Sequence, residues 1–252
     1  MKIALITGVT AGFGEAICRK LIQANYQVIG TGRRTERLDK LKNEFGESFY
    51  PLAFDLRDTA AIEKALNSLP KSLSAVDLLI NNAGLALGLE PAHKTNLNDW
   101  YQMIDTNIKG LVTVTRLILP QMVDRNSGHI INLGSIAGNY PYPGGNVYGG
   151  TKAFVKQFSL NLRADLAGTA IKVTNLEPGL CGDTEFSNVR FKGDVQKAAK
   201  VYEHIDYVKP EDIAEIVLWL NNQPPHVNIN RIEVMPVAQT FSPLAVAKKS
   251  IV

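Results

Sequence analysis

The feature that most constrains this chain is a repeated alternation between short, almost wholly apolar runs and longer segments with helical periodicity. The runs are Ile3-Ala4-Leu5-Ile6, Gln27 to Gly32, Val76 to Asn81, Gly128 to Leu133 and Ala170 to Leu176. A run of strand length that shows no polar alternation is covered on both faces, as in a parallel sheet buried between helices. Between the runs lie helical patterns at Phe13 to Ala24, Arg34 to Phe45, Arg57 to Leu69, Asn98 to Asp124 and Val147 to Leu166. Phe49 to Ala53 and Ile229 to Met235 bring the strand count to seven, and Pro210 to Asn222 adds a helix that opens on proline. The expected architecture is an α/β fold, a doubly wound sheet of seven parallel strands with helices on both faces.

Nothing divides the 252 residues into units, so residues 1–252 are expected to form a single domain. One long stretch, 181–207, fits neither strand nor helix cleanly. Irregular insertions of this length tend to serve as binding loops or lids. The tail after Pro236 is moderately apolar and could be packed or frayed.

Composition narrows the partners. At 45% hydrophobic and 20% charged residues the chain is of ordinary globular type, and its net charge of +3 is too small to argue for nucleic acid. The apolar run from Met1 ends at Thr7-Gly8, too soon for a signal peptide, and Gly110 to Leu119 is interrupted by Thr113, Thr115 and Arg116. No membrane partner is expected. Cys18 and Cys181 are too few for a disulfide framework and read as reduced thiols of a cytoplasmic protein. His93, His129, His204 and His226 lack ligand spacing; each is expected on a surface or loop, and no metal is expected. Trp100 and Trp219 read as core or interface aromatics.

The first strand runs straight into Thr7-Gly8-Val9-Thr10-Ala11-Gly12-Phe13-Gly14 and then into a helix. Glycines in a strand-to-helix turn let a pyrophosphate approach the backbone, where the unpaired N–H groups and the positive end of the helix stabilise it. The spacing Gly8-x3-Gly12-x-Gly14 departs from G-x-G-x-x-G, so a purely structural turn shares it. The second strand ends in Thr31-Gly32-Arg33-Arg34, where many NAD-binding folds place an acid against the adenosine ribose. Two guanidinium groups there suit a 2′-phosphate, so NADP is expected rather than NAD; a solvated basic helix start is the plain alternative. Asp55-Leu56 could meet the adenine edge, or Asp55 could simply cap a helix at Arg57.

Asn81-Asn82-Ala83-Gly84 follows the fourth strand, Ser135 the fifth, and Tyr148 and Lys152 open the next helix. All fall at the carboxyl ends of strands, the edge where such sheets bind ligands. Four residues apart on a helix, Tyr148 and Lys152 share a face, and an ammonium beside a phenol favours the phenolate. Taken alone, a Tyr-x3-Lys pair is common and usually structural.

In combination, Thr7-Gly8-x3-Gly12-x-Gly14, Asn81-Asn82-Ala83-Gly84, Asn107, Ser135, Tyr148-x3-Lys152 and Pro178-Gly179 stand in the order of the short-chain dehydrogenase/reductase family, which the chain resembles over essentially its whole length. The segments Thr31 to Arg34, Asn146 to Gly149 and Glu185 to Asp194 resemble its NADP-dependent 3-hydroxy acid dehydrogenases, enzymes of serine, allo-threonine and malonic semialdehyde. The resemblance implies a Rossmann-type fold and a hydride exchanged between NADP and a small 3-hydroxy acid. Tyr148 would be the base, Lys152 would lower its pKa and bond the nicotinamide ribose, Ser135 would hold the substrate oxygen, and Asn107 would anchor a water relay. Asn107 could also be a polar helix residue at a kink near Gly110.

By the same resemblance the cofactor would lie along Gly8, Val9, Thr10, Ala11, Gly12, Phe13, Gly14, Arg33, Arg34, Asp55, Leu56 and Asn82. It would continue over Pro178, Gly179, Leu180, Cys181, Gly182, Asp183, Thr184, Glu185 and Phe186, with Thr184 offering a hydroxyl. Arg190 is the candidate for the substrate carboxylate, in competition with Lys192. A homotetramer packed through the Asn98 to Asp124 and Val147 to Leu166 helices is implied too. Alternatives that share the core motifs are a 3-oxoacyl-thioester reductase and a non-catalytic NADP-binding regulator. Serine hydrolysis is disfavoured, because Gly134-Ser135-Ile136-Ala137-Gly138 is not G-x-S-x-G. Gly149-Gly150-Thr151-Lys152 likewise has the wrong order for a nucleotide-triphosphate loop.

Overall fold

Lys2–Thr7 (β1), Tyr26–Gly32 (β2), Phe49–Ala53 (β3), Leu78–Asn81 (β4), Gly128–Leu133 (β5), Ile171–Pro178 (β6) and Arg231–Val234 (β7) form one sheet in the computed structural model, which describes residues 1–241. Every pairing is parallel, and the order is β3-β2-β1-β4-β5-β6-β7. The chain therefore winds outward twice from the centre, and β1 and β4 flank the switch point at which such folds bind ligands. Pro51, which cannot donate to a ladder, sits on the edge strand β3.

Helices cover both faces: Gly12–Gln23 (α1), Thr35–Phe45 (α2), Thr59–Asn67 (α3), Leu97–Ile104 (α4), Leu111–Asp124 (α5), Asn146–Asp165 (α6) and Pro210–Asn221 (α9). Between α6 and α9 come two short helices, Phe186–Arg190 (α7) and Val195–Ala199 (α8). The alternating side chains of the strands divide the core in two. Ala4, Ile6, Val28, Leu78 and Ile80 face α1 and α9 through Ile17, Leu21, Ile213 and Val217. Leu5, Ile29, Leu79 and Ile130 face α3, α5 and α6 through Ile62, Val114, Met122 and Leu162. No helix among the described residues is long and apolar enough to cross a membrane.

Four expectations change. The single helix over Asn98 to Asp124 is α4 and α5 joined by a π turn at Asp105–Gly110, a widened turn that hydropathy periodicity does not reveal. The cap of α3 is Asp58, which accepts from Ala61 N at 2.9 Å; Asp55 instead closes a turn with Arg57 N, also at 2.9 Å. The 181–207 stretch carries α7 and α8, and Cys181 pairs with Val208 in an isolated parallel bridge. The tail is described only as far as Phe241, so its packing beyond that point lies outside the described residues.

The fourth is His129, which lies buried on β5 and not on a surface or loop. Its Nε2 meets Thr174 Oγ1 at 2.9 Å and its Nδ1 meets Asn221 Oδ1 at 3.3 Å. Burial and the nearby Lys172 charge push its pKa from 6.5 down to about 3. Below pH 6.5 the unfolded chain binds a proton that the folded chain refuses until about pH 3, so stability falls as pH drops through that window. His129→Gln is expected to flatten this dependence; urea denaturation near neutral pH and at about pH 5 checks it, and an unchanged slope would assign the acid loss to other groups.

Candidate active site

The carboxyl ends of the strands open into a cavity of about 990 Å³. Its floor is the turn between β1 and α1. Gly8 and Gly12 have φ of +76° and +54°, conformations that favour glycine, and a Cβ at Gly12 would come within 3.2 Å of Thr184. At Gly14 a Cβ would stand 2.0 Å from the Gly8 carbonyl oxygen, so α1 approaches β1 more closely than any side chain allows. No side chain caps the start of α1 at Ala11, and its first N–H groups face the turn.

Asn82 locks this turn. Its Nδ2 donates to Thr7 O at 2.9 Å and Gly8 O at 3.1 Å, while Thr7 Oγ1 accepts from the Asn82 and Ala83 N–H groups, both at 3.0 Å. The Asn82 amide nitrogen is thus spent on protein carbonyls, although the residue still lines the cavity.

The three arginines near the end of β2 divide their tasks. Arg34 donates to Thr10 Oγ1 through Nε and Nη2, at 3.1 and 2.8 Å, and to Glu185 Oε2 through Nη1 at 2.7 Å. Arg37, which sequence reasoning missed, reaches Thr10 O at 3.0 Å and Glu185 Oε1 at 2.9 Å. Its spacing from Arg34 carries no signal of a carboxylate that lies 148 positions away in the chain. Arg33 is mostly exposed and approaches Asp55 at 3.6 Å.

Tyr148, Lys152, Ser135 and Asn107 come together at the other end. Lys152 Nζ stands 5.9 Å from the centre of the Tyr148 ring and donates to Leu133 O at 2.7 Å. Burial pushes the Tyr148 phenol up to about 12, with the Ser135 hydroxyl and the Arg190 charge pulling the other way. Burial alone lowers Lys152 to about 8. Burial comes first among the influences on Tyr148, so the phenol stands above its ordinary value even with the Lys152 side chain one helical turn away and bonded to a backbone carbonyl. Ser135 Oγ accepts from Ala137 N at 3.1 Å. Asn107 sits buried in the π turn, donates to Leu85 O at 2.8 Å and Thr151 Oγ1 at 3.1 Å, and accepts from Leu85 N at 2.9 Å.

Over this end lies α7. The Arg190 guanidinium carbon is 5.6 Å from the centre of the Tyr148 ring, and Phe186 packs on the same ring at 5.7 Å. Lys192, its rival, is tied by a 2.7 Å ion pair to Asp99. The cavity wall includes Gly8, Thr10 to Phe13, Arg33, Arg34, Asp55, Leu56, Asn82, Ser135, Tyr148, Lys152, Pro178 to Cys181, Thr184 to Phe186 and Arg190. Val9, Gly14, Asn107, Gly182 and Asp183 fall outside it: Val9 is in the core, Gly182 lies under the Tyr207 ring, and Asp183 accepts from Tyr207 Oη at 2.9 Å. Gln239 was not foreseen; its Oε1 accepts from Leu180 N at 2.7 Å, binding the C-terminal segment to the wall.

A switch-point cavity with a glycine cradle at one end and a buried tyrosine–lysine pair at the other defines a nucleotide-dependent oxidoreductase of the Rossmann type. The chain belongs to the short-chain dehydrogenase family, whose model matches residues 2–194. It is 71% identical over 246 residues, 98% of both chains, to a Haemophilus influenzae protein named "Probable NADP-dependent dehydrogenase". To the NADP-dependent 3-hydroxy acid dehydrogenase YdfG of Escherichia coli it is 60% identical over 247 residues, covering 98% of this chain and all of that one (100%). A solved structure described as the closed form of serine dehydrogenase complexed with NADP+ superposes with a TM-score of 0.97 at 60% identity, over 98% of this chain and 100% of that one.

Gly14→Ala drives a methyl group into the Gly8 carbonyl, a backbone atom that cannot turn aside as a side chain could. A stability loss of ~1–3 kcal/mol in urea denaturation is expected, and an unchanged midpoint would show that α1 can move away without cost.

Proposed function

We propose that this chain is an NADP-dependent dehydrogenase that interconverts small 3-hydroxy acids, such as L-serine, L-allo-threonine and 3-hydroxypropionate, with the corresponding 3-oxo acids, such as malonic semialdehyde. The observation that carries this reading is the Arg190 guanidinium held 5.6 Å from the ring of Tyr148. A 3-hydroxy acid carries its hydroxyl and its carboxylate on carbons separated by one other, so one small molecule can offer the first to Tyr148 and the second to Arg190. The names of the relatives above support the same substrate class and the same cofactor.

The residues present fit a dinucleotide phosphate. A cradle whose glycines leave room at the uncapped start of α1 suits a pyrophosphate, and the exposed Arg33 beside Arg34 and Arg37 suits a 2′-phosphate. Asp55 and Leu56 would meet the adenine, and Pro178 to Cys181 with Thr184 to Phe186, which share the cavity wall, would run along the rest. When bound, the nicotinamide supplies hydride exchange with carbon 3 of the substrate.

The chain's own groups supply the rest. Tyr148 Oη takes the hydroxyl proton in oxidation and returns it in reduction. Ser135 Oγ holds the same oxygen and stabilises charge as it develops. Lys152, one helical turn away, provides a cation next to Tyr148, and Asn107 in the π turn anchors the path by which the proton leaves. The 181–207 segment acts as a lid, a role supported by Cys181, Thr184 to Phe186, Arg190 and Tyr202 in the cavity wall. Exposed Leu97, Tyr101, Ile104, Val123 and Phe154 on α4, α5 and α6 support a homotetramer packed through these helices. The free thiols Cys18 and Cys181 fit a reducing cytoplasm.

Two outcomes are expected from absorbance assays with NADP+ and NAD+ on hydroxy acids and a neutral secondary alcohol. Tyr148→Phe loses ~10²–10⁴-fold in kcat on every substrate while still binding NADPH. Arg190→Ala raises KM for the acids by about tenfold or more with little effect on the neutral alcohol; equal effects on both would sink the carboxylate assignment. Silence on every acid with NADPH binding retained would favour a thioester reductase or a cofactor-sensing protein.

A further inference from the structure

Arg190 has a long, flexible side chain, and a cation of that kind selects a carboxylate sharply only if something fixes it beforehand. Tyr142 does this. Arg190 Nη2 donates to Tyr142 Oη at 2.6 Å, and the guanidinium carbon lies 5.3 Å from the centre of the Tyr142 ring as well as 5.6 Å from that of Tyr148. On the third side Arg190 Nε donates to Gly88 O at 3.3 Å, and Gly88 N donates to Arg190 O at 2.9 Å. Among the described residues Nη1 has no protein partner, which leaves one edge of the guanidinium for a substrate oxygen.

Tyr142 is itself held. Gly145 N donates to Tyr142 O at 3.0 Å, and a Cβ at Gly145 would lie 3.0 Å from the Tyr142 ring. Gly144, at φ +78°, packs so closely on Leu89 that a Cβ would meet its carbonyl oxygen at 2.3 Å. The phenol is therefore presented by the same β5-to-α6 connection that bears Ser135 at its start and leads directly into Tyr148. The connection that bears Ser135 and leads into Tyr148 also sets the position of the cation.

We infer that Tyr142 is a specificity-determining positioning residue: by hydrogen bond and ring face it holds the Arg190 guanidinium beside Tyr148, and it thereby sets the preference for carboxylate-bearing substrates over neutral ones. This rests on the assignment of Arg190 to the substrate carboxylate. Tyr142→Phe keeps the ring and volume and removes only the acceptor oxygen; Tyr142→Leu removes the ring too.

The test is a double-mutant cycle over wild type, Tyr142→Phe, Arg190→Ala and the pair, read as the ratio of kcat/KM for 3-hydroxypropionate to that for its neutral methyl ester. Tyr142→Phe is expected to lower the ratio about tenfold, with Tyr142→Leu lowering it further. The change should lie in KM for the acid, with its kcat within about twofold of wild type, and should vanish in the Arg190→Ala background. A Tyr142→Phe ratio at the wild-type value, when Arg190→Ala has lowered it, overturns the role of Tyr142. An equal loss in both backgrounds shows that Tyr142 acts without Arg190 and overturns it too. A ratio untouched by Arg190→Ala instead overturns the carboxylate assignment beneath it.

Discussion

The whole site depends on the hydrogen bonds exchanged where β1 and β4 end side by side. Thr7 offers its hydroxyl oxygen to two N–H groups of the next connection, and Asn82 returns its amide nitrogen to the carbonyls of Thr7 and Gly8. Each of these groups lies where the ladder has just stopped, and a buried polar group left without a partner costs roughly 1–3 kcal/mol. The exchange settles that cost and in doing so fixes the glycine turn at one fixed height above the sheet. From there the absence of a side chain at Gly14 lets α1 descend onto the turn, and the start of the helix points into the cavity. A different residue at position 82 would leave the turn without its clamp even if every glycine were kept.

The second organising element is the short piece of chain from Glu185 to Arg190. At its beginning the Glu185 carboxylate bridges Arg34 and Arg37, which also grip Thr10 of the glycine turn. At its end Arg190 rests between two tyrosines. Each ion pair at the first end is partly exposed and contributes little by itself. Together they attach the segment to the glycine-turn end of the cavity, while Arg190 and its backbone pairing with Gly88 attach it to the tyrosine–lysine end. One turn of helix thus links the two ends of the cavity.

Much of this was legible in the sequence, for a physical reason. Strands between two helical layers show no polar alternation, so Gly128–Leu133 could be bounded to the residue even with His129 and Asn132 buried in it. Ligand groups on such a sheet must gather at one edge, so Ser135, Tyr148, Lys152 and the glycine turn could be placed together before any distance was known. The failures concern contacts that leave no local trace. Arg37 and Tyr142 matter because of partners 148 and 48 positions away, and nothing in their own neighbourhood records those partners. The π turn escapes because one additional residue in a helical turn barely disturbs an apolar stripe. His129 was misplaced because an imidazole with Thr174 and Asn221 beside it can be buried neutral inside a strand, and hydropathy rates it as polar.

The electrostatics of the tyrosine–lysine pair follow from the same burial that makes the site selective. Dehydration raises Tyr148 to about 12 and lowers Lys152 to about 8, so each group by itself resists its charged form. A site closed over by Phe186 and Arg190 also makes any remaining charge act more strongly, because the dielectric around it is low. The Arg190 cation already pulls Tyr148 toward ionisation across the 5.6 Å between guanidinium and ring. That pull comes well after burial among the influences on the phenol, so the guanidinium beside the ring is suited first to recognising an anion and only secondarily to shifting the proton. Its position, fixed by Tyr142 and Gly88, is accordingly a matter of fit, and a low dielectric around it makes that fit count for more.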